Sequence, residues 1–114
     1  MGVALGIARL TNAQGASSLG LFKTPMIRKT TIFTGHVQGV GFRYTAQSIA
    51  RDFTITGYVR NLDNGNVELV AEGDKDQIAQ LLETIARKMT DYIKHRQDVD
   101  SPPTGEFRDF GIRR

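Results

Sequence analysis

Apolar residues recur along this chain at two different spacings, and the switches between them mark six segments from Arg28 onward. Lys29 to His36 (KTTIFTGH) is short, rich in Thr and Ile, and runs into glycine, which predicts a strand. Ala46, Ile49, Ala50 and Phe53 then fall at i, i+3, i+4 and i+7, the buried stripe of a helix. Gly57 to Asn61 (GYVRN) and Asn66 to Ala71 (NVELVA) read as two strands. Asp63-Asn64-Gly65 joins them, and Asn and Gly tolerate the positive φ that a tight hairpin demands. Gly73 closes the second of these strands and Asp74 caps a helix, with Gln77 placed as its capping-box partner. Ile78, Leu81, Leu82, Ile85 and Met89 give that helix its core face. Residues 94–106 are polar, contain Pro102-Pro103 and predict a loop; Phe107 to Arg113 (FRDFGIR) predicts a closing strand with Phe110 and Ile112 on one face.

Strand, helix, strand, strand, helix, strand, with both helices amphipathic, predicts a two-layer α+β sandwich. Right-handed crossovers put the two helices on one face of an antiparallel sheet, the ferredoxin-like βαββαβ arrangement. Its first and third strands are expected at the centre, with the second forming an edge beside the third. That architecture hosts many functions and selects none of them.

The first 25 residues differ in kind, being rich in Gly, Ala and Ser with no sustained period. Gly6 stands where a myristoylation signal needs Ser or Thr, and Arg9 interrupts the apolar patch that a secretory signal requires. The expectation is a disordered extension over residues 1–25, with a natural start at Met26, and a folded domain over 26–114. A chain of 114 residues accommodates one domain. Cysteine is absent, which excludes disulfides, cysteine-based zinc sites and cysteine-dependent phosphatase chemistry. No apolar run approaches the roughly 18–20 residues that span a bilayer, so the expected location is the cytoplasm, away from membranes. The formal charge is +3, but Arg9 and Lys23 are the only charged side chains before Met26. The remainder is close to balanced, poor support for a nucleic-acid footprint.

The candidate chemistry lies in Gly35-His36-Val37-Gln38-Gly39-Val40-Gly41-Phe42-Arg43, between the first strand and the first helix. By itself such a segment is better explained as a glycine-rich turn with a solvent-facing arginine. Its layout also suits a tetrahedral anion: backbone N–H groups converge on phosphoryl oxygens and a guanidinium closes the site. The candidate phosphate-binding loop is therefore Gln38, Gly39, Val40, Gly41, Phe42 and Arg43.

These residues resemble the acylphosphatase signature G-x-V-Q-G-V-x-F-R. Gly57-Tyr58-Val59-Arg60-Asn61, followed by Gly65-Asn66-Val67-Glu68, is similar to that family's second block, G-x-V-x-N then G-x-V-E. The resemblance runs from about Thr31 to Ile112 in matching order. It implies hydrolysis of a carboxyl phosphate to carboxylate and inorganic phosphate. It further implies that Arg43 and the loop amides bind the phosphoryl group while Asn61 holds the attacking water. A small-molecule acyl phosphate is then the substrate, and inorganic phosphate is a product and competitive inhibitor. Neither metal nor other cofactor is expected, and a monomer suffices. The residue inventory agrees with that chemistry. A carboxylate leaving group, whose conjugate acid has a pKa of about 4, departs without being protonated, and the motif offers no Asp, Glu or Cys.

The neighbouring residues carry lesser expectations. His36 reads as a spectator and Phe42 as core. Gln38 either shapes the loop or turns to solvent. Thr45 is placed to support Asn61 by a hydrogen bond. Thr54 stands where the family usually has a glycine leaving the first helix in a left-handed turn, a conformation that costs a β-branched residue roughly 1 kcal/mol or more. The alternative to an enzyme is a non-catalytic binding or regulatory domain of the same fold, acting on RNA or a protein. Gly39 to Tyr44 faintly echoes the glycine-aromatic motif of RNA-recognition domains, but such aromatics must sit on a central strand.

Overall fold

The computed structural model describes residues 24–114, so the expectation for residues 1–23 lies outside the described residues. Seven elements follow in order: β1 (Met26–Gly35), α1 (Phe42–Ala50), β2 (Ile55–Asn61), β3 (Val67–Asp74), α2 (Lys75–Lys88), β4 (Ile93–Ser101) and β5 (Phe110–Arg113). Thr24 and Pro25 dock on the start of α2, where the Pro25 carbonyl accepts from Lys75 N–H at 2.9 Å and Thr24 Oγ1 accepts from Asp76 N–H at 3.0 Å.

The strands form one sheet in the order β4-β1-β3-β2-β5. β1 and β3 are central and antiparallel, with Phe33 opposite Val67 and Thr31 opposite Leu69. β2 lies antiparallel beside β3, joined by the expected hairpin, in which Leu62 N–H donates to Asn66 O at 2.8 Å and Asn64 Oδ1 accepts from Asn66 N–H at 3.0 Å.

Two expectations about the sheet are corrected. Residues expected as a polar loop from 94 onward instead continue a strand, Ile93–Ser101, antiparallel to β1. Its sequence, IKHRQDVDS, is exposed along almost its whole length and so lacks the alternation that marks a half-buried strand. Cross-strand polar pairs hold it, Lys29 with Asp100 at 3.2 Å and Thr31 Oγ1 donating to Asp98 at 2.9 Å. The closing strand is shorter than expected, Phe110–Arg113, and pairs parallel to β2 at the opposite edge. The sheet is therefore mixed rather than wholly antiparallel, and β2 is flanked on both sides instead of forming an edge. Once β4 occupies the place beside β1, the chain end must cross to the free side of β2. The ferredoxin-like core of two helices on one sheet face is otherwise the observed fold.

Both helices bury the expected residues. Ala46, Ile49 and Ala50 of α1, and Ile78, Leu81, Leu82 and Ile85 of α2, pack with Phe33, Val59, Val67 and Leu69 of the sheet. Full burial of each Val, Leu, Ile or Phe side chain among them contributes about 1.5–3 kcal/mol. Phe53 lies beyond the end of α1 and packs against the core edge from the following turn. Asp74 caps α2 by accepting from Asp76 and Gln77 N–H. Gln77 does not complete a capping box; its Oε1 accepts from Thr54 N–H at 2.9 Å and ties the turn after α1 to α2.

The open face of the sheet is crossed by the connection from β4 to β5. Glu72, 5% exposed, anchors that connection. Its carboxylate accepts from Thr104 N–H at 3.0 Å, Gly105 N–H at 2.8 Å, Thr104 Oγ1 at 2.8 Å and Arg28 Nε at 2.7 Å. Burial pushes the Glu72 pKa up, but the donors from Gly105, Arg28 and Thr104 outweigh it and bring the value down to about 2. Phe107 follows, with its ring centroid 5.8 Å from that of Tyr58 and 5.1 Å from the Arg28 guanidinium carbon.

Candidate active site

The loop between β1 and α1 is shaped by where its side chains are anchored. Val37 is fully buried and Phe42 is 2% exposed, with the Phe42 ring 4.9 Å from that of Phe33. Between these anchors Gly39 and Gly41 take left-handed backbone, at φ 76° and φ 77°. Gly41 is the N-cap of α1 and brings no side chain to cap the helix, whose first turn also lacks an acidic residue. A helix start with free amides and no anion of its own favours an anionic ligand by geometry and by dipole.

Gln38 resolves one of the two alternatives left by the sequence. Its Nε2 donates to Leu62 O at 2.7 Å and to Asn66 O at 2.8 Å. The side chain thus braces the loop against the β2–β3 hairpin instead of turning to solvent.

Asn61 ends β2 on the same side as Ile55 and Val59, which face the helices. Gly57 lets β2 lie close against β3. A Cβ there would lie 1.8 Å from Val70 O and 2.8 Å from the carbonyl carbon, so no side chain fits between β2 and β3. Arg43, half-buried, is the second residue of α1, and its Nη1 donates to the Arg113 carbonyl at 3.2 Å. The parallel seat of β5 beside β2 makes that contact available.

Arg43 and Asn61 line one open cleft of about 470 Å³, together with Val37, Gly39, Gly41 and Phe42 of the loop. Val40, the remaining loop residue, is partly buried against the core. Tyr44, Ile112 and Arg114 complete the wall, and sequence reasoning singled out none of them for the site. Tyr44 had a legible signal, an aromatic off the core stripe of α1 and adjacent to Arg43. Ile112 and Arg114 had none, because their position depends on the parallel pairing of β5. Among the described residues no Asp or Glu lines the cleft. Among the described residues no group of three or more His, Cys, Asp or Glu comes together that would hold a metal ion.

Two further residues lie away from the cleft. His36 is exposed and lines a separate groove with Asp91, Tyr92 and Lys94. Thr45 makes no hydrogen bond to Asn61 among those of the described residues and lines a groove between α1 and α2 instead. Gly39 to Tyr44 spans the loop and the start of α1, off the sheet, so it cannot present aromatics for base stacking as an RNA-recognition strand does.

A small α+β sandwich with a glycine-shaped loop and an open cleft at one sheet end is the class that fold and cleft define. Residues 29–112 match the family model described as Acylphosphatase. The acylphosphatase of Methanospirillum hungatei JF-1 is 43% identical over 90 residues, covering 78% of this chain and 99% of that protein. That of Acaryochloris marina is 40% identical over 83 residues, covering 73% and 89%. The crystal structure of acylphosphatase from Bacillus subtilis superposes with a TM-score of 0.70 at 28% identity, covering 77% of this chain and 99% of that one. The chain belongs to the acylphosphatase family.

Proposed function

We propose that the domain hydrolyses acyl phosphates, with Arg43 and the backbone amides of Gln38 to Arg43 binding the phosphoryl group and Asn61 orienting the attacking water. One observation carries this reading: Arg43, the left-handed glycines of the loop and Asn61 meet around a single cleft to which, among the described residues, no Asp or Glu side chain contributes. The phosphoryl group spreads negative charge over its oxygens in the transition state, so positioned donors and a fixed cation supply most of the stabilisation. The water oxygen bonds to phosphorus as the bond from phosphorus to the acyl oxygen breaks. The carboxylate leaves with that electron pair, and its low basicity removes the need for a side-chain acid. A phosphoryl oxygen takes the proton lost by water, and Asn61 contributes orientation rather than basicity.

Inorganic phosphate presents the same oxygens and competes for the same cradle. The reading has the domain working as a monomer in the cytoplasm, without cofactor or nucleic-acid partner. The direct test is hydrolysis of benzoyl phosphate in EDTA, followed by ultraviolet absorbance. Turnover with competitive inhibition by phosphate is expected; a folded protein with no turnover under these conditions overturns the proposal.

A further inference from the structure

The cleft accounts for the phosphoryl end of a substrate and leaves the acyl end without a seat. Tyr44 indicates where that end goes. It is 76% exposed, the most exposed of the large hydrophobic side chains described, and it stands next to Arg43 in sequence. It lines the phosphoryl cleft, and it also lines a second groove of about 620 Å³ between α1 and the end of α2. Thr45, Ser48, Ile49, Lys88 and Met89 form the rest of that groove. Tyr44 and Ser48, like Thr45 and Ile49, are four residues apart on α1 and so make one continuous helix surface leading away from the cleft. Ile49 and Met89, 8% and 5% exposed, give the groove an apolar floor, and Ser48 and Lys88 are exposed at its rim.

We infer that this groove is the acyl-group subsite, and that it selects acyl phosphates whose acyl part carries an aromatic ring or an extended apolar chain over the minimal acetyl group. The inference rests on the proposed hydrolysis and deepens it. Continuity through Tyr44 is what fixes the occupant: a group covalently joined to a phosphoryl unit held by Arg43 reaches the groove by passing over the Tyr44 ring. An aromatic acyl group gains an offset-stacked or edge-on contact with that ring. A longer chain goes on to cover Ile49 and Met89, which contribute in proportion to the apolar area removed from water.

The test compares kcat/KM for acetyl, benzoyl and 4-phenylbutanoyl phosphates in the wild type, Tyr44→Ala and Ser48→Trp, with folding checked by thermal denaturation. Tyr44→Ala is expected to lower the preference for both aromatic substrates over acetyl phosphate by about tenfold. Ser48→Trp obstructs the groove beyond Tyr44. It is expected to lower kcat/KM for 4-phenylbutanoyl phosphate by about tenfold while acetyl phosphate stays within about twofold of wild type. Preferences unchanged in both variants, or losses shared equally by acetyl phosphate, overturn the subsite. Acetyl phosphate also separates the two layers of the argument. Normal wild-type turnover of it with unchanged preferences sinks the groove alone, whereas no turnover of any acyl phosphate sinks the hydrolysis and the groove with it.

Discussion

The two faces of the sheet carry donor sets built from similar parts, and they differ in whether the chain supplies an anion of its own. On the open face Glu72 is surrounded by an arginine, two backbone amides and a hydroxyl, and all of these donors converge on its carboxylate. On the helix side the loop from Gln38 to Arg43 offers an arginine and a helix start with no side-chain cap, around a cleft to which no Asp or Glu of the described residues contributes. A donor set closed on an internal anion fixes structure, here the β4–β5 connection. A donor set without one is available to a ligand that brings the charge. Arginine and amides alone therefore do not distinguish a clamp from a binding site; the presence or absence of the chain's own acid does.

The largest expected effect is on the open set. Arg43→Ala should lower kcat/KM for benzoyl phosphate by about 10³-fold or more, in the range of removing a charged transition-state contact. Inhibition by phosphate should disappear with it, while the thermal midpoint stays near wild type because Arg43 is only half-buried. Asn61→Ala should lose turnover by about 10²-fold and keep phosphate inhibition; steady-state kinetics with phosphate as inhibitor separate the two roles. Equal loss of phosphate affinity in both variants would merge roles that the comparison keeps apart.

The closed set should respond in stability instead. Glu72→Gln exchanges a saturated carboxylate for an amide and is expected to cost about 2 kcal/mol, measured by urea unfolding, with kcat/KM of the folded enzyme nearly unchanged. The pH dependence has a definite sign. The folded carboxyl titrates at about 2, below its ordinary 4.5, so the folded state binds the proton less readily than the unfolded one. Its contribution is complete above pH 4.5 and is lost as pH falls toward 2. The Glu72→Gln variant should show a shallower loss of stability across that window, and an unchanged slope would remove Glu72 from the acid response.

Gln38 stands between these cases, a neutral brace on the cradle. Gln38→Ala removes two hydrogen bonds to the hairpin and should cost about 1 kcal/mol of stability. A rise in KM of about threefold should accompany it as the loop loosens. Loss of kcat without a change in KM would assign Gln38 to the reaction rather than to the loop.

What the sequence made legible follows the same division between local and distant causes. The glycine loop, the hairpin at Asn64-Gly65 and the α2 stripe from Ile78 to Met89 are set by near neighbours, and each could be read from spacing. Arg43 and Asn61 were legible as motif residues before anything placed them on one cleft. β4 was not, because IKHRQDVDS is held by polar pairs to β1 rather than by a buried face. That omission carried further. Without β4 beside β1, the last strand could not be assigned to the side of β2, and Ile112, Arg114 and the Arg113 carbonyl could not be placed at the cleft. Glu72 was hidden for a related reason, since its partners Thr104 and Gly105 lie 32 and 33 residues away. Gln77 was placed at the correct helix end but spends its side chain on Thr54, a contact across the fold.

The comparison is tested most directly by titrating inorganic phosphate into isotopically labelled protein and following the backbone amides by NMR. The account predicts saturable shifts at Gly39, Gly41, Phe42 and Arg43, absent in Arg43→Ala, with Thr104 and Gly105 unmoved. Shifts centred on Thr104 and Gly105, or none at the loop at phosphate concentrations that inhibit turnover, would contradict it.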